Sequence, residues 1–316
     1  MVIKWVKDVA NKMDERKETL FARVRELKKQ RNAVILAHNY QVDEVQDVAD
    51  YVGDSFELSR IAASLDAEVI VFCGVYFMAE TAAILAPDKI VLLPEILAGC
   101  PLADTITAES LRKKKEEHKN ATVVTYINSS AAVKAESDVC VTSANALQVV
   151  DSLDAEEILF VPDMNLGDYI AGQTKKRLIL WDGYCITHHR VSLDDVYAAR
   201  AAHPDAALLV HPECRPEIVK AADHVFSTGA MIRFAKESSH EKIIVGTEMG
   251  LIYRLQKENP GKQFYLLSQG LVCPNMKFTD LDKVCKALET LQPRITVPEP
   301  ICDLARKPLE RMLAIV

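Results

Sequence analysis

The sequence predicts an α/β protein built from three homologous three-layer αβα domains with parallel sheets, in a pseudo-threefold arrangement around a central active site. Two observations predict this. Four kinds of segment recur three times in the same order, and the residues that close the apolar strands keep matching offsets. Strands that alternate with amphipathic helices and read as unbroken apolar runs also indicate parallel sheets covered on both faces.

The first element is a β-branched run ending in polar residues: VILAHNY (34–40), VVTYINS (123–129) and LLVHPEC (208–214). The second is a hydroxyl residue that opens a helical pattern, in DSFELSRIA from Asp54, TSANALQVV from Thr142 and STGAMIRFA from Ser227. The third is a buried-type strand running through a turn into a helix, at 69–82, 158–171 and 242–255. The fourth is an apolar strand that ends in a cysteine, at 90–100, 178–185 and 264–273.

The registers agree across the first three elements. His38, Tyr126 and His211 are 88 and then 85 positions apart, and Tyr40/Asn128/Glu213, Ser55/Ser143/Thr228 and Phe72/Phe160/Val245 keep the same spacing. Cys100, Cys185 and Cys273 are instead 85 and 88 apart, as if short insertions sit in the intervening loops. Constant offsets through several segment types point to triplication, the feature to look for first. The expected boundaries are 1–105, 106–190 and 191–278 for the repeats, with a C-terminal helix and tail (279–316) packing back on the assembly. Copies of about 85–90 residues are short for independent stability and should bury area against one another.

Each copy opens with an amphipathic helix. Leu20, Phe21, Val24 and Leu27 lie at helical spacing against a charged face, TAESLRKKKEEH is the shorter counterpart, and Ser192 with Asp195 resembles a capping box. A fourth such helix is expected from Thr279.

Composition narrows the function. The chain is 49% hydrophobic and 26% charged, as a globular protein should be, and its net charge of −7 gives no global case for nucleic acid or an acidic membrane. The longest apolar stretch, 69–79, is well short of the roughly 18 residues a span needs. The first 17 residues lack an export pattern, so a cytoplasmic setting is expected and the eight cysteines read as metal or catalytic residues before disulfides.

Ligands gather at the carboxyl ends of parallel strands. There, Cys100, Cys185 and Cys273 offer one thiolate each to a soft metal. A [4Fe–4S] cluster with one open iron, a zinc ion holding water, and unligated thiols are all compatible with the spacing. Cys73, Cys140, Cys214, Cys285 and Cys302 read as structural. Three equivalent helix N-termini pointing at one centre would suit carboxylate or phosphate. His38, Tyr126, His211, Tyr40 and Glu213 form an acid–base set, with His188 and His189 close to Cys185.

VILAHNYQ, GDSFELS, LLPEILAGCPLAD, YINSSAAVKAESDVCVTSANA, WDGYCITHHR, HPEC and CPNMK together resemble quinolinate synthase over about residues 33–300. The resemblance implies one [4Fe–4S] cluster per chain on Cys100, Cys185 and Cys273. It also implies a transferase-type condensation (EC 2.5.1 class) of iminoaspartate with dihydroxyacetone phosphate to quinolinate, for NAD biosynthesis. His38, Ser55, Tyr126, Ile127, Asn128, Ser143, His211, Pro212, Glu213 and Thr228 correspond to the substrate-binding set, and Tyr40, Glu213 and His211 to the catalytic one. Ile127 and Pro212 would contribute backbone or shape only. The implied partners are the two small anionic substrates and, transiently, the iminoaspartate-producing enzyme. Two departures stand out: Pro101 follows the first ligand, and the C-terminal C-x-x-C-x-x-C run of some relatives is absent.

Overall fold

The computed structural model describes the backbone of residues 2–315 and the side chains of residues 15–315. Most of the N-terminal stretch read for an export pattern therefore lies outside the described side chains.

The first unit runs α1 (Val2–Gln30), β1 (Ala33–His38), α2 (Asp43–Val48), β2 (Tyr51–Gly53), α3 (Ser55–Ser64), β3 (Val69–Cys73), α4 (Tyr76–Leu85) and β4 (Ile90–Leu92). The second runs α5 (Ala108–Glu117), β5 (Thr122–Tyr126), α6 (Ala131–Ala135), β6 (Val139–Val141), α7 (Ala146–Ser152), β7 (Glu157–Val161), α8 (Met164–Ala171) and β8 (Arg177–Leu180). The second unit closes with α9 (Ile186–His189), and the third has α10 (Leu193–Ala202), β9 (Ala207–Val210), α11 (Pro216–Ala221), β10 (His224–Val225), α12 (Thr228–Glu237), β11 (Lys242–Gly246), α13 (Gly250–Glu258) and β12 (Gln263–Leu266). Two further helices follow, α14 (Leu281–Thr290) and α15 (Ile301–Ala314).

Each unit carries one four-stranded parallel sheet with the same order, β2-β1-β3-β4, β6-β5-β7-β8 and β10-β9-β11-β12. Register is equally constant. Ala37 pairs with Cys73, Thr125 with Val161 and Val210 with Gly246, a separation of 36 residues each time. The edge strands β2, β6 and β10 are two or three residues long and lie between the first and second elements of each repeat. An aspartate marks each one: Asp50, Asp138 and Asp223 accept the N–H of Ile35, Val123 and Leu208 at 2.8, 2.7 and 2.7 Å.

Strand side chains alternate between two cores, as a sheet covered on both faces requires. Leu36, Ile70 and Phe72 face a core shared with the second unit and α15, while Ile35, Val69 and Val71 face α1 and α14. In the third unit Leu208 and Ile244 face one side, and Leu209 and Val245 the other. The shared first core is the inter-copy burial that short repeats need. Helix α14 lies on α1 and β3, and α15 lies on α4, α6 and β6.

The capping box on Ser192 and Asp195 is present, and Asp54 forms another with Glu57. The second copy departs from expectation. Asn145 Oδ1 accepts the N–H of Thr142 at 2.7 Å, which makes residues 142–145 a turn, and α7 starts only at Ala146. Ser143 is thus on a turn, and two equivalent helix starts, not three, carry the hydroxyls.

Gly183 is required by close approach, because a Cβ there would overlap Thr105 Oγ1 and the Pro162 carbonyl. Gly261 has nothing within 4 Å of the corresponding position. Gly183→Ala should therefore cost about 1–3 kcal/mol, whereas Gly261→Ala should stay within about 0.5 kcal/mol. Urea midpoints for the two variants measure the contrast, and equal midpoints would contradict it.

Candidate active site

The strand order sets the site. With the first and third strands central, their following segments leave in opposite directions above the carboxyl edge and open a crevice there. His38 ends β1, Tyr126 ends β5 and His211 follows β9, so each unit presents its first-strand end to that crevice.

The cysteines arrive on loops of unequal length, and a repeated backbone contact corrects the slip. The N–H groups of Tyr76, Met164 and Met249 donate to the carbonyls of Ala98, Gly183 and Leu271 at 2.7, 2.7 and 2.9 Å. Each carbonyl lies two residues before a cysteine, so Cys100, Cys185 and Cys273 are delivered to equivalent positions. All three are half-buried free thiols and line one cleft of about 890 Å³, a volume that includes space open to solvent. Buried carboxylates hold two of the loops: Asp163 Oδ2 accepts the Cys185 N–H and Glu248 Oε1 the Cys273 N–H, each at 3.1 Å. Val75 stands at the equivalent position in the first unit. Burial raises all three thiols, Cys100 to about 12. Metal binding here would have to displace their protons.

Cys185 Sγ, a His188 ring nitrogen and a Glu213 carboxylate oxygen lie within 4.8 Å of one another, a set compatible with a metal site. Among the described residues, the three cysteine sulfurs do not form so tight a group.

The other wall carries a directed hydrogen-bond chain. Glu213 Oε2 lies 2.8 Å from His188 Nδ1, and His188 Nε2 lies 2.9 Å from Thr247 Oγ1, which is 2.5 Å from the Tyr40 hydroxyl. An ionised carboxylate only accepts, so Nδ1 must donate. With Nε2 accepting, Thr247 would donate to His188 and accept from Tyr40, which would direct the Tyr40 phenol proton along the chain. Burial disfavours the Glu213 carboxylate, but His211 and His188 outweigh it and hold the group well below the ordinary carboxylate range. Burial and the Glu213 charge push neighbouring Asp163 well above that range. Burial and Glu213 also keep Tyr40 and Tyr126 as neutral phenols. Glu213 Oε1 is buried without a hydrogen-bond partner among the described residues.

His38 Nδ1 accepts the Tyr40 N–H at 3.2 Å, which leaves Nε2–H to donate. Burial lowers its pKa to about 3, so it is neutral at ordinary pH. His211 Nε2 lies 3.1 Å from Ser143 Oγ. No Lys or Arg lines the cleft among the described residues. An anion there must be held by neutral donors.

His38, Tyr40, Ser55, Tyr126, Asn128, Ser143, His211, Glu213 and Thr228 all line the cleft with the cysteines. Ile127 and Pro212 are buried but do not line it. His188 is buried in the chain described above, whereas His189 stacks on Tyr184 outside the cleft. Thr247, Glu248 and Asp163 were missed. Their signal was polar residues directly after the third strands, in VPD (161–163) and VGTE (245–248).

The family model for quinolinate synthetase A protein matches residues 22–314. The chain belongs to that family. Quinolinate synthase of Thermodesulfovibrio yellowstonii is 54% identical over 291 residues, covering 92% of this chain and 96% of that one. The Methanosarcina barkeri protein of the same name is 53% identical over 296 residues, 94% of this chain and 97% of its own. That of a Geobacter species is 54% identical over 298 residues, 94% and 98%. No helix among the described residues is long and apolar enough to cross a membrane.

The neutral His38 gives this family member a pH signature. In the unfolded chain a histidine takes its proton near pH 6.5, but folded His38 refuses it until about pH 3. The unfolded state binds the extra proton in that window, so the contribution is complete above pH 6.5 and lost as pH falls toward 3. Urea midpoints between pH 7 and 4 should fall less steeply in His38→Gln than in wild type. Parallel slopes would contradict the assignment.

Proposed function

We propose that the chain condenses iminoaspartate with dihydroxyacetone phosphate to quinolinate, for NAD biosynthesis. Phosphate and two waters leave, and the atoms balance without an oxidant or reductant. The observation that carries the reading is the convergence, in one cleft, of three half-buried thiols with a directed acid–base chain ending at Tyr40.

Cys100, Cys185 and Cys273 suit a [4Fe–4S] cluster, which would supply an open iron as Lewis acid for departing hydroxide. Their failure to form a single-ion group favours a bulky cluster over one zinc ion. The tighter set is a poorer zinc site. Ligands at about 2.0–2.3 Å around a tetrahedral ion lie roughly 3.4 Å apart, whereas His188 Nδ1 and Glu213 Oε2 are 2.8 Å apart, a hydrogen-bond distance.

The protein's own groups account for binding and proton movement. His38 Nε2–H, Asn128, Tyr126 and the hydroxyls of Ser55, Ser143 and Thr228 offer neutral donors to carboxylate and phosphate oxygens. Tyr40 takes or returns a proton at its hydroxyl, and Thr247 and His188 connect it to Glu213. The unpartnered Glu213 Oε1 suits a substrate N–H or O–H donor.

After anaerobic reconstitution with iron and sulfide, wild type should show broad visible absorption and form quinolinate from the two substrates. Colourless, zinc-containing active protein would overturn the cluster assignment. Cys185→Ser should lose absorption and turnover together. Tyr40→Phe and Glu213→Gln should keep the absorption and lose about 10²–10⁴-fold in turnover, the usual scale of general acid–base catalysis; wild-type turnover in both would remove them from that role.

A further inference from the structure

We propose that Asn39, locked by Arg254, aims the hydroxyl proton of Thr228 into the cleft and so makes Thr228 a donor to a substrate carboxylate or phosphate oxygen. Asn39 is then a positioning residue. The inference rests on the reading of the cleft as an anion-binding active site.

Asn39 follows β1 and is fully buried. Its backbone is pinned by an N–H bond to the Gly53 carbonyl at 3.0 Å and by Gln46 Nε2, which donates to its carbonyl at 3.3 Å. Arg254 comes from α13 of the third unit and reaches across to the first. Its Nη1 donates to Asn39 Oδ1 at 2.8 Å and to the Val52 carbonyl at 2.7 Å, while Nε is held by Glu258 at 2.7 Å.

A guanidinium can only donate, so the amide atom facing it must be the oxygen. The orientation of Asn39 is fixed by chemistry. Its Nδ2 therefore faces Thr228 Oγ1, at 3.1 Å. An amide NH₂ also only donates, so the Thr228 oxygen accepts and its single proton must point elsewhere. Among the described residues the hydroxyl donates to no protein acceptor. Thr228 is the first residue of α12 and lines the cleft.

The polarity of this hydroxyl matters because no Lys or Arg lines the cleft. A hydroxyl that turned its lone pair to an anion would repel it. Of the three register-equivalent hydroxyls, only that of Thr228 is set by a donor-only group. Ser143 faces His211, whose ring nitrogen can play either role, and the Ser55 hydroxyl has no partner among the described residues. Ile127 and Pro212, the counterparts of Asn39 in the other copies, have no polar side-chain atom.

Asn39→Asp tests the device with almost no change of shape. The carboxylate keeps Arg254 as an ion pair, but it accepts on both sides and would draw the Thr228 proton away from the cleft. Dissociation constants for quinolinate, measured by calorimetry on reconstituted protein, are the readout. Asn39→Asp and Thr228→Val should each bind at least about tenfold more weakly, the scale of a lost hydrogen bond to a charged group. Thr228→Ser should bind like wild type. The double variant Asn39→Asp/Thr228→Val should bind no worse than Thr228→Val alone, since contacting residues that act through one bond are not additive. Arg254→Met, which frees the amide to rotate, should give a smaller loss that also vanishes in the Thr228→Val background; it serves if Asn39→Asp does not fold. Wild-type affinity in Asn39→Asp or in Arg254→Met, or additive losses in a double variant, would overturn the proposal while leaving the active-site reading intact. Failure of wild type to bind quinolinate would overturn both.

Discussion

The backbone hydrogen bond from the residue at, or one before, the start of each third-strand helix to the carbonyl two residues before each cysteine is the contact on which the site depends. It occurs three times, at Tyr76, Met164 and Met249, with nearly the same length. The fourth strands and their loops differ in length between copies, and without this tie their ends would be placed by loop conformation alone. With it, each cysteine loop is anchored to a helix start that the parallel sheet already fixes. Backbone atoms do this work, so side-chain sequence can vary around it.

The same sheets fix the opposite wall. A constant 36-residue pairing between first and third strands brings the residue after β11 beside the residues after β9. Thr247 thereby reaches both His188, which follows Cys185 on the neighbouring unit, and Tyr40 from the first unit. All three units contribute to a single hydrogen-bond chain, the third with both Glu213 and Thr247. No single unit has the chain by itself, which gives a physical reason for the copies to stay together beyond their shared core.

Charge in the cleft is sparse and placed. His211 and His188 hold Glu213 below the ordinary carboxylate range, while burial and Glu213 raise Asp163. No Lys or Arg lines the cleft among the described residues, so an anion there would meet groups whose usefulness depends on which way each hydrogen points. Lys277 instead donates to Glu248 and the Tyr40 carbonyl, at 3.0 and 2.6 Å. It holds the Cys273 loop and the Tyr40 turn in place.

Much of this was legible in the chain. Period and offset identified three α/β units, because strand ends in a parallel sheet must recur when the sheet recurs. They also brought Cys100, Cys185 and Cys273 together with His38, Tyr126 and His211, since all of them follow the carboxyl ends of strands, the cysteines on loops beyond β4, β8 and β12. The edge strands β2, β6 and β10 were not legible, because two or three residues cannot display an alternating pattern. The helix start at Ser143 was misread because Asn145 offers the backbone a competing turn. The roles of Thr247, His188 and Asn39 were beyond any local pattern. Each acts on a partner from another unit, as Asn39 does across 189 residues to Thr228. The sequence by itself determined which residues stand at strand ends, because hydrophobic periodicity is a local property of the chain. Only the tertiary structure decided which of them touch and which way their protons point, because hydrogen-bond direction is set by partners that the fold brings together from distant units.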